Sequence, residues 1–147
     1  IKNNMLDWID VVKEFELVAE ANPFIKKFGY GRRDNKQELF DAWDKEFPIL
    51  WINSDTFNFN KGSFIYSVDT DVFSIIKDSQ EDADKTISDC NAIIIDVINQ
   101  MYNKDLLTND NVTITPYHWQ EDTGEIIAGV TATIEIEVGN NNANCNY

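Results

Sequence analysis

Ser63-Phe64-Ile65-Tyr66-Ser67-Val68-Asp69-Thr70-Asp71-Val72-Phe73 alternates in character, and the stretch from Ala83 to Tyr102 behind it repeats as a helix does. In the first, Phe64, Tyr66, Val68 and Val72 point one way while Ser67, Asp69 and Asp71 point the other, the pattern of a strand with one buried and one wet face. A charged break, Lys77 to Asp82, then sets acidic groups where a helix amino terminus stabilises them. Ala83, Ile87, Cys90, Ile94, Val97, Ile98 and Met101 follow at three- and four-residue steps, an apolar stripe wide enough to cover a sheet. This strand and helix form a scaffold, and neither carries residues arranged for chemistry.

Working outward, Ile126, Ala128, Val130, Ala132, Ile134, Ile136 and Val138 form the clearest strand, with Thr131, Thr133, Glu135 and Glu137 on its other face. Burying each large member of that row stabilises by about 1.5–3 kcal/mol, so a slip of one residue is prohibitive. Val112-Thr113-Ile114-Thr115 predicts a partner strand, ended or kept at an edge by Pro116, and Gln120 to Glu125 a turn. Upstream, Ile49 to Ile52 reads as a buried strand opened by Pro48, and Asn60-Lys61-Gly62 as the turn joining it to the strand at Ser63. Met5 to Ala21 reads as an amphipathic helix closed by Asn22-Pro23. The two glycines of Phe28-Gly29-Tyr30-Gly31 suggest a tight turn, and Asn35 to Glu46 a short helix with Leu39, Phe40 and Trp43 inward.

The expected fold is therefore α+β: a mostly antiparallel sheet of about four strands packed on helices, in the order α-(α)-β-β-α-β-β. Residues 1–139 form one domain and residues 140–147 a polar tail. The sheet face away from the helices is expected to be polar and acidic, carrying Asp69, Asp71, Glu135 and Glu137. Phe57 and Phe59 share one side of an extended arm and either fold back onto their own core or dock on a neighbouring subunit.

Composition bounds the function. A chain of 147 residues with 43% hydrophobic side chains and a net charge of -14 is one ordinary acidic domain. Such a charge repels DNA, RNA and anionic membranes, so a nucleic-acid-gripping role is disfavoured; it serves solubility, or a surface that stands near DNA without holding it. Cys90 and Cys145 make no disulfide framework, which fits a reducing intracellular origin. No apolar run is long enough to span a membrane, and no secretory signal is read at the amino terminus.

Phosphate loops, dinucleotide fingerprints, paired Cys-x-x-Cys and nucleophile elbows are missing from the sequence. His118, the single histidine, sits beside Tyr117, Trp119 and Glu121 and could be drawn as a general base, but a lone histidine in an aromatic strand is ordinarily structural. Asp69-x-Asp71 offers only two side chains to a hard cation. No catalytic residue, metal or cofactor is expected, and the chain is read as a non-enzyme.

Several short motifs occur together in order: Trp8-Ile9-Asp10-Val11, Lys27-Phe28-Gly29-Tyr30-Gly31, Phe47-Pro48-Ile49-Leu50, Ser88-Asp89, Ile95-Asp96-Val97-Ile98, Ile114-Thr115-Pro116-Tyr117, Ile127-Ala128-Gly129-Val130 and Asn144-Cys145. The set, covering nearly the whole chain, resembles small head–tail connector proteins of tailed phages of Bacteroidota, including crAss-like phages, with the tail terminator (tail completion) fold. The resemblance implies a virion protein made in the host bacterial cytoplasm. It implies self-assembly into a ring, six- or twelve-fold, between portal or connector and tail proteins, with DNA passing through unbound. On that expectation Phe57, Phe59 and Trp119 seal subunit contacts and Asp69, Asp71, Glu135 and Glu137 line the channel, unless they are simply a solvated sheet face. The competing expectation is an acidic DNA mimic that blocks a host DNA-binding enzyme.

Overall fold

A computed structural model describes residues 7–31, 47–76, 80–107, 109, 111–120 and 126–139. Helix α1 (Trp8–Ala21) begins where Asp7 closes a capping box: the Asp10 N–H donates to Asp7 Oδ1 at 2.8 Å and the Asp7 N–H to Asp10 Oδ2 at 3.2 Å. Its Val11, Val12, Phe15, Val18 and Ala19 are buried, the three-and-four spacing of one apolar face. Asn22 ends it, and the Asn22 side-chain oxygen accepts from the Phe24 N–H, turning the chain into strand β1 (Lys27–Tyr30).

Strands β2 (Ile49–Asn60) and β3 (Ser63–Ile76) form a long hairpin about Lys61-Gly62, where Gly62 takes a positive φ of 92° that a side chain disfavours. Helix α2 (Gln80–Asn103) crosses over to β4 (Ile114–Gln120), and β5 (Ile126–Gly139) returns. The sheet order is β1-β2-β3-β5-β4. Because β3 and β4 both pair antiparallel with β5, they run parallel to each other, with β5 filling the gap that the α2 crossover leaves.

The architecture is thus α+β, as expected, but the sheet has five strands and is mixed. The extra strand is β1, which pairs parallel with β2 from Lys27 opposite Ile49 to Tyr30 opposite Ile52. Its glycines suggested a turn; in the molecule Gly29 lies inside the strand, and the turn is confined to Gly31, at φ 125°. The Trp51 indole N–H fixes that end by donating to the Gly31 carbonyl at 3.0 Å. The proposed helix at 35–46, the tail at 140–147 and residues 121–125 of the turn expected from Gln120 lie outside the described residues; Gln120 itself ends β4.

The main core lies between the sheet and the helices. Val11, Phe15 and Val18 of α1, Cys90, Ile94, Val97 and Met101 of α2, and the inward rows of β2, β3 and β5 close it. Burial pushes the Cys90 thiol up to about 12, with Asp89 adding a smaller upward push, so it stays an uncharged core group across the neutral range. A second cluster lies on the other sheet face: Ile49, Trp51, Phe73 and Ile127 are buried there, with Phe47, Ile75 and Tyr117 packed against them. That face was expected to be polar and acidic where the strands alternate cleanly. It is polar only along half its length, because the residues with the parity opposite to the main core turn apolar towards the Phe73 end of β3.

The second cluster is set by a close approach. A Cβ on Gly129 would lie 2.2 Å from the Val72 carbonyl oxygen and 2.6 Å from Phe73 Cβ, so only glycine lets β5 pass Phe73 at their paired position. Gly129→Ala is expected to destabilise by about 1–3 kcal/mol or more, as overpacking against immovable backbone does, read as a lower urea midpoint at unchanged slope. An unchanged midpoint would show that the strands separate freely here.

Candidate assembly interface

The end of the β2–β3 hairpin extends past β1, which pairs with β2 only as far as Ile52. This arm carries the aromatic residues singled out from the sequence, and a β-bulge aims them. Leu50 and Ile52 face the helices, so strict alternation would send Phe57 and Phe59 to the opposite face. The register shifts between Ser54, opposite Val68, and Thr56, opposite Ser67. The extra residue, Asp55, restores the parity, placing Phe57 opposite Tyr66 and Phe59 opposite Phe64 on the helix side.

There the rings form a chain. Phe59 meets Phe64 at 5.7 Å between centroids, Phe64 stacks on Tyr66 at 5.4 Å, Phe57 meets Tyr66 edge-on at 4.8 Å, and Trp8 reaches Phe57 at 5.5 Å. Such contacts are worth about 0.5–1.5 kcal/mol per pair beyond burial, enough to hold the rings in place on a hairpin. Phe57 and Phe59 nevertheless remain 47% and 63% exposed. The rings thus brace their own strand partners and still offer about half their surface outward. Trp8, anchored by the capping box beside it, is the member that the sequence reading did not assign to this cluster. Trp119 stands opposite Ile127 in the β4–β5 ladder, and its side chain lies outside the described residues.

The four carboxylates do share a sheet face, since Asp69 pairs with Thr133, Asp71 with Thr131, Ser67 with Glu135 and Ile65 with Glu137. Their environments differ. Asp71 is buried. Asp69 Oδ1 accepts from the Thr133 hydroxyl at 3.1 Å, Glu135 is partly covered, and Glu137 is exposed. Beyond the start of β4, Asn109 substitutes for the missing strand neighbour: its Nδ2 donates to the Thr133 carbonyl and its Oδ1 accepts from the Glu135 N–H, both at 3.3 Å. Between β4 and β5 an open cleft of about 340 Å³ is lined by Asn111, Thr113, Thr115, Thr131, Thr133 and Glu135, a hydroxyl-rich surface that the sequence reading passed over.

Other candidates remain apart. His118 is exposed opposite Ala128, and Glu121 lies outside the described residues. Among the described residues no three His, Cys, Asp or Glu side chains converge as metal ligands. No helix among them is long and apolar enough to cross a membrane. Fold and surfaces together define an α+β protein whose mixed five-stranded sheet presents an aromatic arm on one side and an acidic, hydroxylated face on the other. No protein-family model matches the chain, and no curated protein matches it.

The arm carries a titration signature. Burial raises the Tyr66 phenol above its usual 10.0, and the carboxylates of Asp7 and Asp10 add to the rise. The contribution of Tyr66 is fully present below the ordinary phenol range. It is lost as pH rises through the elevated folded value, because the unfolded chain releases its proton first. Tyr66→Phe is expected to flatten the alkaline limb of a stability–pH curve above about pH 10, measured by denaturant midpoints. A slope equal to that of the wild type would place Tyr66 in water.

Proposed function

We propose that this protein is a structural virion subunit that assembles with its own copies into a ring at the head–tail junction of a tailed phage, joining portal or connector to tail. The observation that carries the reading is the arm: two phenylalanine rings, about half exposed, braced on the part of the β2–β3 hairpin that β1 leaves uncovered. A monomer gains nothing from leaving such rings in water. Completing their burial would contribute roughly half of the 1.5–3 kcal/mol that each full burial brings, repeated at every contact of a closed ring.

The acidic face serves the second half of this reading. A channel wall that conducts DNA must not accumulate phosphate contacts, since each one releases counterions and adds affinity that slows passage. Glu135 and Glu137 are the members of the acidic set suited to such a wall, with Asp69 behind them on its Thr133 bond. No enzymatic step, metal or cofactor enters this proposal, and DNA is a passing load. The DNA-mimic alternative needs freely exposed carboxylates in phosphate-like rows. The burial of Asp71 and the engagement of Asp69 weigh against it.

Quantitative peptide mass spectrometry of gradient-purified particles is the direct test. Comigration with virions at about a dozen copies per particle or fewer is expected for a single neck ring. Recovery only in the soluble fraction, with displacement of DNA from a host nuclease, would replace the ring by the mimic. In particles carrying Glu135→Lys and Glu137→Lys, slower genome ejection is expected. Ejection at the wild-type rate would remove these residues from the channel.

A further inference from the structure

The arm has a complementary surface elsewhere on the same chain. On residues 63–147 the exposed large apolar side chains among the described residues are Ile95 and Tyr102, 41% and 37% exposed, both on α2. Seven residues apart, they stand two turns, about 10.5 Å, along one helix face. Ser88, Ala92 and Asn99 are exposed on that same face, giving an uncharged stripe from Ser88 to Tyr102. Asp89 and Asp96, each one residue beyond a stripe member and exposed, border it along one side. At the turn of the arm, Lys61 is exposed beside the Phe57 and Phe59 rings' strand.

Charge is divided the same way. Residues 1–62 carry nine lysines and arginines against eleven carboxylates, whereas residues 63–147 carry three against fifteen. We infer that the arm of one copy seats on the outer face of α2 of the next copy, with Phe57 and Phe59 against Ile95 and Tyr102 and Lys61 between Asp89 and Asp96. Pairing either patch with its own copy would set Lys61 against Lys61 or the aspartates against one another, whereas arm against α2 opposes cation to carboxylate and apolar to apolar. Repeated head-to-tail, this contact closes a ring, and the chain carrying both cysteines distinguishes it from a reciprocal twofold pair, which would stop at the dimer. This inference rests on the self-assembly proposed above and names the surfaces that carry it.

Cysteine pairing reads the contact directly. In a Cys145→Ser background, where the buried Cys90 thiol stays silent, Phe59→Cys and Ile95→Cys chains are oxidised singly and mixed. The mixture is expected to give a cross-linked dimer that neither chain gives alone, and a chain carrying both substitutions a ladder ending in a closed species. Lys61→Glu should lower the mixed yield several-fold, and Asp96→Lys on the partner chain should restore it; both positions are exposed, so the fold is not at stake. Self-pairing of the Phe59→Cys chain, or no mixed product, overturns the contact. Loss of particle association with cross-linking intact overturns the virion role alone.

Discussion

Fourteen residues of β3 pair with fourteen of β5, from Ser63 opposite Gly139 to Ile76 opposite Ile126, and this ladder fixes the position of everything else. Both strands are central, so their register places one row of apolar side chains under α1 and α2 and another, of opposite parity, against Trp51 and Ile49. Gly129 locks it, because no other residue passes Phe73 at that distance. A slip by one residue would expose both clusters at once. Neither face alone specifies the register as tightly as the two together.

The parts of this ladder that the sequence made legible are those in which one rule acts without competition. The β5 row from Ile126 to Val138 alternates cleanly, and the α2 stripe from Ala83 to Met101 repeats at helical spacing, so both could be read without knowing their partners. The short strand at Lys27 could not. Four residues give no period, and Gly29 and Gly31 carry a local turn signal that pairing with β2 overrides. The second cluster was hidden for a different reason. Ile127 and Phe73 occupy the parity that is threonine and carboxylate elsewhere on the same strands, and each looked like a single exception until the fold brought the exceptions together.

The arm shows the limit of reading alternation alone. That Phe57 and Phe59 share a side follows from their spacing; which side does not, because the answer depends on one inserted residue. Asp55 adds nothing to hydrophobicity, and Asn53-Ser54-Asp55 reads as turn chemistry as readily as a bulge. Its effect appears only in the pairing, where β3 continues without interruption while β2 carries one residue more. Bulges re-aim side chains and blunt the free edge of a strand. Here one residue keeps the aromatic pair on the braced side of the hairpin.

Acidity and the proposed assembly are then compatible. A net charge of -14 spread evenly over the surface would oppose the association of identical copies at any contact. It is not spread evenly: the arm from Asn53 to Tyr66 holds one aspartate and one lysine, and the α2 stripe between Ser88 and Tyr102 presents apolar or amide groups with carboxylates at its border. Repulsion is thereby reduced at these two patches. In the proposed ring, identical subunits meet in a restricted set of orientations and leave their remaining carboxylates facing solvent or the axis they surround. On that proposal the high charge is the specificity device, and the two patches supply the contact.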